Sequence, residues 1–128
     1  FEEVPEALRL LKGKATLAIL SNGTQKMIRA VLARSSISSQ FDKIISVDLV
    51  RTYKPSPKVY ALAPRILRVP KSKILFISSN SWDAAGAKAF GLKVAWINRK
   101  GQRAFDGLGY RPDFEIPDLA ALVRSLSK

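Results

Sequence analysis

Neither cysteine nor histidine occurs among the 128 residues of the chain. The absence of cysteine excludes disulfide bonds and thiolate metal sites. The absence of histidine excludes a serine–histidine dyad and imidazole-ligated zinc within the chain. Any acid–base chemistry must therefore come from carboxylates, lysines, tyrosines or hydroxyl groups.

Long apolar runs are missing as well, since none approaches the roughly 20 residues that a membrane helix needs. The first five residues, Phe1 to Pro5, lack the basic start and the apolar stretch of a signal peptide. These features predict no membrane association and a cytoplasmic location. A first residue that is Phe1 instead of methionine favours a fragment or a processed product.

Acidic residues are scarce, because 22 lysines and arginines face only 10 acids and give a net charge of +12. Such a charge can indicate a nucleic-acid partner. The basic residues are scattered, however, with no run longer than two and no basic tail. A solvated basic surface is therefore expected, and a nucleic-acid-binding module is the least favoured alternative. A positive field would also attract small anionic substrates.

The apolar pattern alternates between strands and helices. It predicts helices over residues 5–11, 24–33, 56–67, 82–90 and 119–126, with Pro64 poorly placed inside the third. It predicts strands over residues 15–20, 43–47, 74–77, 94–97 and 114–116, and a loop over 99–112. Strands that are apolar on both faces, separated by amphipathic helices, predict an α/β domain over residues 1–128 with a doubly wound parallel sheet.

The second helix is expected to turn four apolar side chains inward: Met27, Ile28, Val31 and Leu32. Ligands of such sheets lie at the carboxyl ends of the strands. The first strand is followed there by Ser21-Asn22-Gly23-Thr24, where hydroxyl groups and the N–H groups of a helix start offer an anion site. Simple helix capping by Asn22 or Thr24 is the alternative, and these residues alone favour it.

Two further segments carry candidate chemistry. Lys54 precedes Pro55, and a second proline follows at Pro57, so its ammonium group is expected on a short rigid loop where it can neutralise an anion. One more surface lysine is the alternative. The third strand ends in Ser78-Ser79-Asn80, and Asp83 falls in the first turn of the next helix. The alternatives there are a helix-dipole role for Asp83, capping by Ser81 and packing by Trp82.

Taken together, several segments closely resemble the L-2-haloacid dehalogenases of the haloacid dehalogenase superfamily. The segments are L-A-I-L-S-N-G-T (17–24), F-D-K-I-I-S-V-D (41–48), Y-K-P-S-P-K-V-Y (53–60), I-L-F-I-S-S-N-S-W-D-A-A-G-A-K-A-F-G (74–91), A-W-I-N-R (95–99) and P-D-F-E-I-P-D-L (112–119). Together they cover nearly the whole chain in one register. The resemblance implies the Rossmann-like core of that superfamily.

The resemblance implies catalytic roles for four residues. Lys54 matches the lysine that balances the negative charge of the nucleophile. Ser78 and Asn80 match residues that orient the nucleophile and the hydrolytic water. Asp83 matches an acid that positions the lysine and activates water.

Four other residues match positions at the substrate. Ser21 and Asn22 would bind the substrate carboxylate, Tyr60 matches a tyrosine near the site, and Trp82 would line the halide or substrate pocket. The implied substrate is a small L-2-haloalkanoic acid. In the family an aspartate attacks C2 and expels halide, and water then hydrolyses the aspartyl ester to release a D-2-hydroxy acid, without metal or cofactor.

A Mg²⁺-dependent phosphatase of the same superfamily is the alternative. Such phosphatases typically carry an added acid where this chain has Ser78-Ser79-Asn80, which leaves Asp83 as the single carboxylate at that turn. One carboxylate is a poor Mg²⁺ site, so the residues favour the dehalogenase.

The chain departs from the family at its start, because the strand that carries the nucleophilic aspartate and the helical cap find no match. The resemblance therefore implies a partial core that lacks its first central strand, and a chain that is inactive alone. That strand would separate residues 15–20 from residues 74–77. We expect either that another segment or chain fills the gap or that the two flanking strands pair directly. The resemblance also allows a homodimer.

Overall fold

A computed structural model of the chain describes residues 1–101 and 103–127. The helices are α1 (Val4–Leu11), α2 (Gln25–Ala33), α3 (Pro57–Tyr60), α4 (Leu62–Leu67), α5 (Ser81–Phe90) and α6 (Leu119–Leu126). The strands are β1 (Ala18–Ser21), β2 (Lys43–Ser46), β3 (Leu75–Ser78), β4 (Lys93–Ile97) and β5 (Phe114–Ile116). The predicted α/β alternation is confirmed, and every strand pair is parallel.

Contacts divide the chain into two compact units. The first comprises Phe1–Arg51 together with α6, and the second comprises Thr52–Asp118. Gln102, in the predicted loop over 99–112, lies outside the described residues. No helix in the described ranges combines the length and the apolarity that crossing a bilayer requires.

In the first unit, β1 and β2 form a two-stranded parallel sheet that runs in register from Ala18 opposite Lys43 to Ser21 opposite Ser46. Helix α2 contacts β2, and α1 contacts α6. Small and aliphatic side chains from these elements form the core: Ala7, Leu8, Leu11, Ile28, Leu32, Ile45, Val47 and Leu122.

The prediction for the inner face of α2 is half wrong. Ile28 and Leu32 are buried as expected, but Met27 and Val31 are 59% and 70% exposed. Each pair is spaced i, i+4 and therefore forms its own stripe along the helix. Helix α2 buries one stripe and leaves the adjacent one in solvent.

In the second unit, the strand order is β3-β4-β5. Strand β4 lies between its two neighbours, and Val94, Ala95 and Trp96 are at most 1% exposed. Helix α5 contacts β3, β4 and α3. Gly91 ends α5 in a left-handed conformation with φ of 111°, which glycine adopts without steric cost. The unit thus places the start of α5 directly after β3.

The predicted helix over residues 56–67 is divided into α3 and α4 at Ala61. Pro64 explains the division, because it has no N–H to donate to the carbonyl of Tyr60 four residues earlier. Ser56 caps the start of α3, because its hydroxyl oxygen accepts from the Lys58 N–H at 3.3 Å. Tyr60 therefore ends a short helix that starts just after Lys54.

Strands β1 and β3 belong to separate hydrogen-bonded sheets. Of the two alternatives for this gap, direct pairing between residues 15–20 and 74–77 is therefore wrong for the described residues. One edge of β1 and one edge of β3 carry no strand among those residues, because each is the terminal strand of its sheet. An added strand at these edges stays a prediction.

Candidate active site

The carboxylate of Asp83 is the centre of a hydrogen-bonded cluster in the second unit. Asp83 lies in the first turn of α5 and is 4% exposed. Its Oδ2 accepts from Lys54 Nζ at 3.0 Å and from Ser78 Oγ at 3.0 Å. Its Oδ1 accepts from Tyr60 Oη at 2.7 Å. Three predicted site residues thus converge on a fourth.

Lys54 forms a buried ion pair with Asp83, because the two side chains are only 10% and 6% exposed. Its Nζ also lies 5.2 Å from the centroid of the Phe76 ring, within the range of a cation–π contact. The surface-lysine alternative for Lys54 is therefore wrong. A charge-assisted hydrogen bond of this kind is stronger than one between neutral groups.

Tyr60 is fully buried and contacts Asp83 from the side of α3. Its ring packs edge-on against Phe76, with centroids 5.6 Å apart and an interplanar angle of 88°. Burial raises the pKa of the Tyr60 hydroxyl well above its ordinary value, and the hydrogen bond and the charge of Asp83 raise it further. Tyr60 therefore remains a neutral hydrogen-bond donor across the physiological pH range.

The turn between β3 and α5 holds Ser78 and Asn80. Ser78 Oγ donates to Asp83 and accepts the N–H of Asn80 at 3.1 Å. Asn80 precedes the first helical residue, Ser81, and its side chain makes no capping hydrogen bond and is exposed. The capping alternative for Ser81 is wrong, because Ser81 is already inside the helix. Trp82 follows with 48% of its surface exposed.

Two residues of the second unit were missed by sequence reasoning. Trp96 Nε1 donates to the carbonyl oxygen of Ser79 at 3.2 Å, and Arg103 Nη2 donates to the same oxygen at 2.9 Å. Trp96 lies in a buried strand, where an apolar role is the default. Arg103 lies in an irregular loop, so no periodicity marks it. The only sequence signal was that Trp96 falls inside a segment of family resemblance.

In the first unit, Ser21 is the last residue of β1 and Asn22 lies in the turn that follows. Ser21 Oγ accepts the N–H of Gly23 at 3.0 Å, and Thr24 caps α2 by accepting from the Met27 N–H at 3.1 Å. The capping alternative is thus confirmed for Thr24, while Asn22 is exposed in the turn. Their predicted contact with a substrate carboxylate stays a prediction.

The start of α2 already holds a carboxylate from the same unit. Asp48 Oδ2 accepts from the backbone N–H of Gln25 at 3.1 Å. Ser46, which is buried at 2% exposure, donates from Oγ to the carbonyl of Gly23 at 2.7 Å. The turn is therefore built by interactions within the unit, and the helix start is already in contact with an anion.

The acids around β3 and α5 do not fit a metal site. Within residues 1–101 and 103–127, no group of three or more carboxylates offers a set of metal ligands. At the candidate site both oxygens of Asp83 accept hydrogen bonds, and one of them faces an ammonium group at 3.0 Å. A Mg²⁺ ion requires several oxygen ligands in near-octahedral geometry, and this turn supplies a single engaged carboxylate.

Comparisons with known proteins show which family the chain is similar to. The family model of haloacid dehalogenase-like hydrolases matches residues 1–91. The chain is 48% identical over 124 residues to an (S)-2-haloacid dehalogenase of Pseudomonas sp. (strain YL), covering 96% of this chain and 53% of the relative. It is 47% identical to haloacetate dehalogenase H-2 of Moraxella sp. (strain B), covering 99% of this chain and 57% of the relative.

A solved structure shows the same fold. The L-2-haloacid dehalogenase of Xanthobacter autotrophicus with chloropropionic acid covalently bound superposes with a TM-score of 0.89 at 33% identity, covering 99% of this chain and 60% of that one. The chain spans slightly more than half the length of the curated relatives it matches. The family model, in contrast, covers well over half of this chain. The chain therefore belongs to the haloacid dehalogenase-like hydrolases.

Proposed function

We propose that the protein hydrolyses small L-2-haloalkanoic acids to D-2-hydroxy acids through an aspartyl ester. The observation that carries this proposal is the hydrogen bonding of the Asp83 carboxylate, which accepts from Lys54, Ser78 and Tyr60. The adjacent turn, Ser78-Ser79-Asn80, carries no charge. A metal-dependent mechanism would need acids at that turn. The relatives that match the chain with 47–48% identity are dehalogenases of 2-haloacids and haloacetate.

The proposed reaction has two steps. An aspartate carboxylate attacks C2, the carbon–halogen bond breaks, and halide leaves with its electron pair while the configuration at C2 inverts. Water then attacks the carbonyl carbon of the ester, the acyl carbon–oxygen bond breaks, and the hydroxy acid leaves as a proton is released. We place this aspartate in the part of the relatives' length that the chain does not span, because Asp83 is occupied by its three donors.

Each candidate site residue of the second unit has a proposed role in this reaction. The Lys54 ammonium balances the negative charge of the attacking carboxylate, and Asp83 fixes the position of Lys54 through the 3.0 Å ion pair. Tyr60 holds Asp83 in place through a neutral hydrogen bond. Ser78 and Asn80 orient the nucleophile and the water. Fixed donors of this kind need no reorganisation when the charge develops, which is how such sites lower a barrier.

Recognition of the substrate belongs to the same proposal. Ser21 and Asn22 bind the substrate carboxylate, and the half-exposed indole of Trp82 provides an apolar wall for the halogen or the alkyl group. The strongly basic composition supports an anionic substrate, because a net charge of +12 favours the approach of a small carboxylate. A homodimer, a cytoplasmic location and completion of the sheet edges by another segment remain predictions.

A halide-release assay on L-2-chloropropionate tests the proposal. Two proteins are measured: residues 1–128 alone, and a joined protein in which residues 1–128 are fused to the portion of the Pseudomonas sp. (strain YL) relative that the chain does not match. Halide and D-2-hydroxypropionate are expected from the L substrate, and much slower release from the D substrate. Absence of halide release from the folded joined protein would refute the dehalogenase, whereas residues 1–128 alone are expected to be inactive.

The phosphatase alternative is separated by a second substrate. A phosphate monoester is offered with Mg²⁺ and again with a chelator in place of the metal. Hydrolysis that requires Mg²⁺, in a protein that releases no halide, establishes the alternative. Halide release that is unchanged by the chelator supports the proposal, because the proposed reaction uses no metal. The described residues of the candidate site likewise offer no set of metal ligands.

A further inference from the structure

We propose that Arg103 is a positioning residue for the turn from Ser78 to Asn80, and that it acts through the carbonyl oxygen of Ser79. Arg103 Nη2 donates to this oxygen at 2.9 Å. Trp96 Nε1 donates to the same oxygen at 3.2 Å. The peptide between the two predicted catalytic residues is therefore held by two side-chain donors, of which one is charged.

Arg103 acts where the strand ladder ends. The pairing of β3 with β4 finishes with Ser78 opposite Trp96. One residue further along each strand stand Ser79 and Ile97, and Arg103 Nη2 donates to both carbonyl oxygens, at 2.9 and 3.4 Å. The guanidinium group thus links β3 and β4 at the position just after their last residue pair. It thereby fixes the backbone of Ser79 where the chain continues from β3 into the turn.

The backbone of Arg103 is itself anchored. Asn98, which is 2% exposed, donates from Nδ2 to the Arg103 carbonyl at 2.9 Å and accepts the Arg103 N–H at 3.4 Å. The same Nδ2 donates to Glu115 Oε1 at 2.8 Å. Asn98, which follows β4, is thus hydrogen-bonded both to β5 and to the loop that contains Arg103. The guanidinium group therefore reaches Ser79 from a backbone that is fixed by a buried amide.

The consequence for chemistry follows from the short distance along the chain. The Asn80 N–H donates to Ser78 Oγ, and Ser78 Oγ donates to Asp83. A rotation of the Ser79 peptide would move both hydrogen bonds together. Small displacements of orienting groups are costly, since about 1 Å can reduce a rate on the order of 100-fold. The catalytic part of this role depends on the proposed function, whereas the structural part does not.

Arginine has the geometry that this position needs. Its planar group presents several fixed N–H donors, whereas lysine is a single charged point on a flexible stem. The Trp96 ring also lies 5.8 Å from the guanidinium carbon, within the range of a cation–π contact. Lysine at position 103 is therefore expected to keep the charge but to hold the two carbonyl oxygens less firmly, because its stem is flexible and it has no planar group to stack on Trp96.

The test compares Arg103→Ala, Arg103→Lys and Arg111→Ala in the joined protein of the halide-release assay. Arg111 is the matched control, because it is exposed in the same segment and makes no hydrogen bond or ion pair within the described residues. Halide release gives kcat and KM, and amide hydrogen exchange gives the protection of the Asn80 N–H. Arg103→Ala is expected to lower kcat by roughly tenfold or more with little change in KM, because orientation is lost and binding is kept. Arg103→Lys is expected to lie between.

Exchange separates failure of this role from failure of the proposed function. If the unmodified protein releases no halide, the role is decided by exchange alone: faster exchange at Asn80 in Arg103→Ala, and not in Arg111→Ala, supports it. If Arg103→Ala does not fold, Arg103→Lys decides by the same two measurements. Unchanged exchange at Asn80 with a kcat equal to that of Arg111→Ala overturns the proposal. An equal loss of kcat in Arg111→Ala also overturns it, because a general charge effect would then explain the result.

Discussion

The Nζ of Lys54 lies 3.0 Å from Oδ2 of Asp83, and the two side chains are only 10% and 6% exposed. Transfer of either charge from water into such a place is costly, and only the partner compensates for it. The pair therefore depends on both members being present. Because Ser78 and Tyr60 donate to the same carboxylate, the ion pair also fixes the positions of their hydroxyl groups.

Loss of one partner of this pair is expected to destabilise the protein strongly. Lys54→Met leaves the Asp83 charge buried with two neutral donors, at a cost of about 3–5 kcal/mol in the free energy of unfolding. The double variant Lys54→Met with Asp83→Asn should cost less than the sum of the single variants, because the unpaired charge is gone. Urea unfolding of the four proteins measures the coupling. Additive costs would mean that the two residues stabilise the fold independently.

The hydroxyl of Tyr60 is expected to make the free energy of unfolding decrease at alkaline pH. Its pKa in the folded protein is raised above the ordinary value near 10 by burial and then by Asp83. The folded state therefore keeps this proton after the unfolded chain has lost it. The resulting stabilisation is fully present below about pH 10 and is lost as the pH rises toward the folded-state pKa.

Tyr60→Phe separates these effects. At pH 8 the variant should be less stable by roughly 1–3 kcal/mol, because Asp83 Oδ1 loses a donor in a buried place. Above pH 10 its stability should fall less steeply with pH than that of the unmodified protein. Tyr53→Phe is the matched control, since Tyr53 is 66% exposed. Parallel stability curves for the Tyr60→Phe and unmodified proteins across pH 9–11 would contradict this account.

Periodicity predicted the helices and strands well because apolar spacing is a local property of the sequence. Strand β5 and helix α6 were predicted with the bounds that the structure shows. The failure at residues 56–67 has a local cause, since one missing N–H at Pro64 divides the helix. The failure at Met27 and Val31 does not, because which stripe of α2 is buried depends on the neighbouring strand.

The candidate site was predictable only in part. Lys54 and Asp83 lie 29 residues apart, and the residues alone left a surface lysine and a helix-dipole acid open as alternatives. Family resemblance grouped them, and the 3.0 Å ion pair gives the physical reason for that grouping. Arg103 was not predicted, because its contact is with a main-chain carbonyl oxygen. Any residue presents such an oxygen, so no sequence pattern at Ser79 reveals the contact.

Two adjacent serines allow a matched comparison of side-chain roles. Ser78 Oγ contacts Asp83 and the Asn80 N–H, whereas Ser79 takes part through its main-chain carbonyl oxygen. Ser78→Ala is expected to lower kcat for halide release by about 10- to 100-fold, because the orientation of the turn is lost. Ser79→Ala keeps its carbonyl and should stay within about twofold of the unmodified protein. Equal losses in the two variants would show that hydroxyl groups at this turn act only through general packing.

Gly86 offers a test of how tightly Tyr60 is held. A Cβ at this position would lie 2.8 Å from Pro55 Cβ, 2.8 Å from Tyr60 Oη and 3.0 Å from Tyr60 Cε2. In an open helix, alanine would stabilise by about 1 kcal/mol relative to glycine. Here Gly86→Ala should instead destabilise by about 1–2 kcal/mol, because forced contacts in a packed core cost about 1–3 kcal/mol.

The same substitution should also disturb the site through the displaced phenol. Gly86→Ala is therefore expected to lower kcat for halide release as well as the free energy of unfolding. In the Tyr60→Phe background one of the close atoms is absent, so the cost of Gly86→Ala should be smaller, although Pro55 keeps it above zero. Chemical denaturation of the two single variants and the double variant measures this coupling. If Gly86→Ala stabilised the protein, α5 would have to move away from Pro55 and Tyr60, and Tyr60 would not be the rigid support of Asp83 that the 2.7 Å hydrogen bond indicates.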